Sequence, residues 1–292
     1  MSRYCHPGSG CTRRPHAITR LVSLCVLFLM LTLAGGHAAR AEVNLQGKAV
    51  QGGLLFGQAP AGSQVRLDDE ELMVSETGRF LIGFSRDETD SRQLLVTLPS
   101  GRTWSRDLTP ERREFAVQHI DGLPSEQVTP PPEVLRRIRE EAALARRVRE
   151  RRDARADWSG GFVWPVYGRI TGVYGSQRIL NGQPRAPHWG LDIAAPTGTL
   201  VRAPAAGVVT LTHPDMYFSG GTLFIDHGHG LISAFLHLSE ILVETGQHVE
   251  QGEDIARVGA TGRATGPHLD WRISLGDTRI DPELLVPPQP EQ

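Results

Sequence analysis

Cysteine is missing from most of this chain: its three copies, Cys5, Cys11 and Cys25, all fall within the first 25 of 292 residues. They precede Ala39-Arg40-Ala41, a small-x-small cleavage signature that follows the apolar run LVSLCVLFLMLTLAGG. A chain cut there keeps no thiol, which excludes disulfide cross-links and hydrolases that rely on a cysteine nucleophile. Acidic residues are absent from residues 1–41, which carry five arginines, as expected of an export signal. A long apolar run is also lacking. Leu21 to Leu33 is 13 residues, short of the roughly 20 that cross a bilayer, so the expectation is a signal peptide over 1–41 and no permanent membrane anchor. No cysteine follows the run to accept a lipid. The expected location is periplasmic or secreted. Basic residues are in deficit as well. Five of the 31 lie in the leader, which leaves 26 against 33 acidic residues and a net charge of about −7. Phosphates would be repelled overall, so no nucleic-acid partner is expected.

The last third of the chain does hold imidazoles and carboxylates: His188 and Asp192 in PHWGLD, His237 in FLHLSE, and His268 and Asp270 in GPHLDWRI. These groups hold Zn²⁺ where thiolates are lacking, and a catalytic site needs three of them and an open position for water. A zinc-activated water can attack an amide carbonyl without a nucleophilic side chain. Any single His-x-x-x-Asp or His-x-Asp carries little weight in a chain with 11 histidines. Context adds weight. His268 and Asp270 fall in a strand-like segment, where residues two apart share a face, and His188 precedes WGLDIAAP, a loop entering a short apolar strand. The competing reading is a set of unrelated surface or core histidines.

From about Trp164 to Val286 the motifs GVYGSQ, HWGLDIAAPTGTLVRAPAAGVV, IDHGHG, LHLS and VGATGRATGPHLDW occur in order. This region resembles the lysostaphin-type, LytM-domain zinc metallopeptidases, which cut peptide bonds of bacterial peptidoglycan. The resemblance implies zinc bound by His188, Asp192 and the second member of the His-x-His motif, here Asp270, with His268 and His237 in catalytic roles. It implies peptidoglycan peptide stems as substrate and admits a cell-wall regulatory protein as partner. Asp270 stands where the family usually has His. Carboxylate oxygen binds zinc at nearly the imidazole distance, but a second carboxylate would make the bound water less acidic; alternatively His268 takes the ligand role. A rival reading is a LytM-like activator that stimulates a separate wall amidase. Tyr174 either lines the groove or is a packed aromatic.

The fold expected is mainly β. Short apolar runs at intervals near ten residues predict a small β-sandwich over 42–123. A Pro-rich entry and an amphipathic helix of about 20 residues form a linker over 124–158, followed by an antiparallel β peptidase domain over 159–288 and a tail over 289–292. GTLFIDHGHGLISAFLHLS reads as a hairpin with His237 at the end of its second strand, and with His227 and His229 as turn residues. APAAGVV and GQHVEQGEDIARVG also resemble biotinyl or lipoyl carrier domains. Such carriers need a lysine in a hairpin turn, and the only lysine, Lys48, lies elsewhere.

Overall fold

Period-two alternation builds the first layers. The computed structural model describes residues 43–122 and 130–290, so the leader lies outside the described residues. Eight strands come first: β1 (Asn44–Gly47), β2 (Leu54–Gln58), β3 (Gln64–Leu67), β4 (Glu70–Glu71), β5 (Arg79–Gly83), β6 (Arg92–Thr97), β7 (Thr103–Leu108) and β8 (Val117–Ile120). β1-β2-β5 form one sheet and β4-β3-β6-β7 another. Val65 and Leu67 of β3 and Leu94 and Val96 of β6 meet Phe80 and Ile82 of β5 in a core between them. This is the sandwich that the spacing predicts. Leu54 and Leu81 face the other way and join a second, larger core, so this sheet is apolar on both faces.

Pro131 is extended, at φ −67° and ψ 154°, and Pro132 opens a 3₁₀ turn, Pro132–Val134. Helix α1 (Leu135–Arg149) therefore starts late and has 15 residues, shorter than the periodicity suggested. Its far end is fixed by tertiary contacts. Arg151 and Arg155 approach the buried Asp226 carboxylate at 3.5 and 3.1 Å and draw the chain away from the helix axis.

Twelve further strands follow: β9 (Ile170–Gly172), β10 (Gln177–Leu180), β11 (Gln183–Pro184), β12 (Leu191–Ala194), β13 (Leu200–Arg202), β14 (Gly207–Met216), β15 (Gly220–Asp226), β16 (Leu231–Ile241), β17 (His248–Val249), β18 (Asp254–Val258), β19 (His268–Leu275) and β20 (Thr278–Ile280). The main sheet runs β17-β14-β15-β16-β19-β12-β9, with β18 joining β13 to β16 and β20 on β19. Its pairings are antiparallel; the parallel strand pair β8–β10 lies in a separate small sheet. The predicted hairpin is β15–β16, turning through Gly228, His229 and Gly230, all at positive φ. His227 is buried there, its ring between the Ala206 carbonyl at 2.7 Å and the Ser233 hydroxyl at 2.8 Å.

Alternation along β19 and β16 gives the sheet two unlike faces. Leu269, Trp271 and Ile273, each 0 % exposed, join Leu231 and Phe235 in the large core. Ile232, Ala234 and Leu236 face the opposite way, and Val148, Leu144 and Ala145 of α1 cover them. His268, Asp270, Arg272 and Ser274, alternating with the core residues, lie on that second face beside the helix.

Candidate active site

The β12–β19 register sets Asp192 directly opposite Asp270 and Ala194 opposite His268, while β9 brings Gly172 against Asp192. Both carboxylates are buried. Glycine makes their room: a Cβ on Gly172 would fall 2.2 Å from Asp192 Oδ2, and one on Gly190 would fall 2.5 Å from Asp270 Oδ1. His188 sits in the loop ahead of β12. Its carbonyl accepts from Gly175 N at 2.8 Å and its N–H donates to Ser176 O at 2.9 Å. The Gly175 loop is held in turn by the N-terminal module, since Arg86 Nε donates to Gly175 O at 2.7 Å.

His188 Nε2 lies 2.9 Å from Asp192 Oδ1, yet neither atom has an aligned hydrogen-bond partner, and His188 Nδ1 has none either. Buried polar atoms without partners are costly unless something else satisfies them. Ligand atoms of His188, Asp192 and Asp270 lie within 4.8 Å of one another.

Two like charges directly opposite across a strand pair repel, and two guanidiniums compensate. Arg178 Nη2 donates to Asp192 Oδ2 at 2.6 Å. Arg272 grips Asp270 with both arms, Nε to Oδ1 at 2.9 Å and Nη2 to Oδ2 at 2.6 Å. Burial and the facing Asp270 charge push the Asp192 pKa up, but His188 and Arg178 outweigh them and hold it below the usual carboxylate range. Burial likewise opposes ionisation of Asp270, and Arg272 with His188 outweighs it. Both groups are carboxylates at neutral pH. Sequence reasoning singled out neither arginine. Arg272 had a signal, since it falls two residues after Asp270 on the same strand face; Arg178 arrives on β10 and had none.

His237, expected at a strand end, lies inside β16, which continues to Ile241. His237 adopts the left-handed φ of 64° at the point where β16 leaves β19 and takes up β18. Such strain in a non-glycine residue persists only where its surroundings fix it. Here its N–H donates to Ser219 O at 2.8 Å. Its ring Nδ1 lies 2.8 Å from Thr261 O, and His268 Nδ1 lies 2.8 Å from Gly266 O. A carbonyl only accepts, so Nδ1 carries a proton in each ring, and a neutral ring has its lone pair on Nε2. The rings lie 4.8 Å apart between centroids, and His268 Nε2 is 3.9 Å from Asp192 Oδ1. Burial lowers the His237 pKa, aided by His268 and opposed by Asp270, so the ring is neutral at neutral pH. The five residues named from sequence thus come together at one place. Tyr174 does not line it: it is buried, and its hydroxyl donates to Arg279 O at 2.8 Å.

Residues 186–282 match the model of peptidase family M23. A crystal structure from Pseudomonas aeruginosa assigned to peptidase M23 is 32% identical over 82% of this chain and 95% of its own, with a TM-score of 0.62. Peptidoglycan DD-endopeptidase ShyC of Vibrio cholerae is 36% identical over 123 residues, and ShyA of the same organism, also a peptidoglycan DD-endopeptidase, is 46% identical over 108. The matches span 28% and 24% of those two relatives.

Proposed function

We propose, from the premise that this chain belongs to peptidase family M23, that it is a zinc-dependent endopeptidase hydrolysing peptide cross-links of peptidoglycan. One observation carries the reading: a buried imidazole and a buried carboxylate oxygen without aligned partners, converging with a second carboxylate at 4.8 Å or less. The donor set fits zinc, with His188, Asp192 and Asp270 as the ligands. Arg178 takes only Oδ2 of Asp192, and carboxylate oxygens keep further lone pairs when they accept from an arginine. Bound there, the ion would supply Lewis acidity and lower the pKa of water.

The remaining chemistry belongs to the chain. His237, neutral and presenting Nε2, accepts the proton of the attacking water, and His268 offers a second imidazole beside it. The ring that has taken the proton becomes a donor to the developing oxyanion or to the leaving amine. Arg178 and Arg272 draw charge from the carboxylates, which offsets the loss of acidity that a second carboxylate brings. The place of action is the cell wall, outside the cytoplasmic membrane, reached through the leader at 1–41. Among the described residues no helix is long and apolar enough to cross a membrane.

The test is metal analysis of the purified protein beside digestion of isolated peptidoglycan. Wild type should hold about one zinc and release cross-link fragments; Asp192→Ala should do neither. Zinc retained stoichiometrically by Asp192→Ala would refute the ligand set. A wild type that binds no metal, cleaves nothing and stimulates a separate amidase would replace the enzyme with an activator.

A further inference from the structure

Beyond the candidate ligands the same face of β19 carries positive charge. A cavity of about 300 Å³ lies between α1 and the sheet and runs from His237 and Asp270 to Arg149, Arg272 and Arg279. Arg279 lies opposite Ser274 in the β19–β20 register, and Arg149 is the last residue of α1. The two acids of the cavity wall are already committed: Asp270 to Arg272, and Glu141 to Arg137 and the Tyr217 N–H. Among the described residues, neither Arg149 nor Arg279 makes a side-chain hydrogen bond or an ion pair within 4.0 Å, and Arg149 Nε is buried without a partner. Burial lowers the Arg279 pKa to about 10, helped by repulsion from Arg149 and Arg272. Arg149 is lowered by burial and by Arg272 and Arg146, with Asp277 and Glu150 opposing. Asp277, exposed, is the acid both guanidiniums feel. Like charges gathered beside a groove, with no acid among the described residues in an ion pair to Arg149 or Arg279, are a cost to the free protein and an asset to an anion.

We propose that this cavity is a carboxylate-binding subsite, in which Arg149 and Arg279 take a free carboxylate of an acidic peptide substrate while Arg272 stays on Asp270. The proposal rests on the endopeptidase reading and deepens it. The arginine is the side chain suited to the task, since its planar fork matches a carboxylate with two parallel hydrogen bonds. The neighbouring wall is apolar, formed by Ile232, Ala234 and Leu236, so the ligand combines acid groups with short aliphatic side chains. Asp270 and Ser274 are four strand residues apart, about 14 Å at roughly 3.4 Å each. The recognised carboxylate therefore lies within about four extended residues of the bond to be cut.

The test is calorimetric titration of the full chain, kept metal-free with a chelator so that nothing is cleaved. The probes are a soluble muropeptide with free stem carboxylates, the same muropeptide with those groups converted to carboxamides, and inorganic sulfate. Wild type should bind the free acid on the order of 10- to 100-fold more tightly than the amide, the range of charge-assisted hydrogen bonds. Arg149→Gln and Arg279→Gln should bring that ratio close to one, and Arg279→Lys should leave it intermediate. Both Gln variants should melt above wild type without ligand, because each removes like-charge repulsion. Equal wild-type affinity for the two muropeptides overturns the proposal, as does a lowered melting point in both Gln variants, which would make the arginines structural. Sulfate binding combined with equal muropeptide affinities also overturns it, and assigns the cavity to a small free anion. A wild type that shows the ratio but leaves peptidoglycan intact when zinc is supplied refutes the endopeptidase reading and leaves the subsite standing. Cleavage of both muropeptides with equal kcat/KM does the reverse.

Discussion

Replacing Arg272 with Met separates the two cations that can balance Asp270. Arg272 donates to both oxygens of a carboxylate that is 1 % exposed and faces Asp192 across the strand pair. Removing one partner of a buried ion pair costs about 3–5 kcal/mol, and the 30% exposure of the Arg272 side chain places the loss near the lower end, about 3 kcal/mol. For a body of about 250 residues that is a fall in melting temperature of about 6–12 °C, measured with a chelator present. Zinc should reverse it. At about 100 times its Kd an ion that binds only the folded state returns about 2.7 kcal/mol, and Asp270 freed of Arg272 is the stronger ligand. The zinc-induced shift in melting temperature, read by circular dichroism, should therefore be larger for Arg272→Met than for wild type. A variant that melts with wild type in chelator would show that the pair contributes nothing. A zinc shift that is absent or smaller than the wild-type shift would refute the idea that the guanidinium and the metal share one carboxylate.

Other consequences are simpler to read. His237→Ala should keep its zinc in metal analysis and lose about 10²- to 10⁴-fold in peptidoglycan hydrolysis, the usual worth of proton transfer; loss of the metal would recast His237 as a ligand. Gly172→Ala should weaken zinc binding by about 10- to 100-fold in competition with a chelating dye, because its Cβ would fall 2.2 Å from Asp192 Oδ2 and displace the carboxylate. Burial lowers the His227 pKa from 6.5 to about 4. The unfolded chain then takes up the proton first as pH falls. This contribution to stability is complete above about pH 6.5 and is lost between 6.5 and 4, in all about 3 kcal/mol. Denaturant titrations across that range should show His227→Gln declining less steeply than wild type; parallel profiles would remove His227 from the acid response.

How much could be read without coordinates depended on whether contacts were local. The alternation of His268 and Asp270 against Leu269 and Trp271, the Gly-flanked turn of the β15–β16 hairpin and the sandwich spacing are short-range patterns, and each forms as read. Helix α1 is shorter than its apolar periodicity because Pro131 and Pro132 delay its start and the Asp226 ion pairs bend the chain away at its end. Arg178 was illegible for a topological reason. It reaches Asp192 only because β10 pairs in parallel with β8, some sixty residues upstream, and nothing near Arg178 announces that pairing. The left-handed His237 has the same origin, since the strain marks where one strand exchanges partners within the sheet.

The two unlike faces of β19 also determine what a saturation scan of the segment would record. From His268 to Ser274, neighbouring positions answer to different constraints. Substitutions at Leu269, Trp271 and Ile273, each 0 % exposed in the large core, deplete the folded protein itself. Those at His268 are expected to leave abundance closer to wild type and to remove hydrolysis, whereas those at Asp270 and Arg272 break the buried ion pair and lower both. Scored by abundance alone His268 would stand apart from Leu269, and scored by activity alone the two would merge into uniform intolerance. Only the difference between the two scores, position by position, would distinguish the residues that make the scaffold from those that use it.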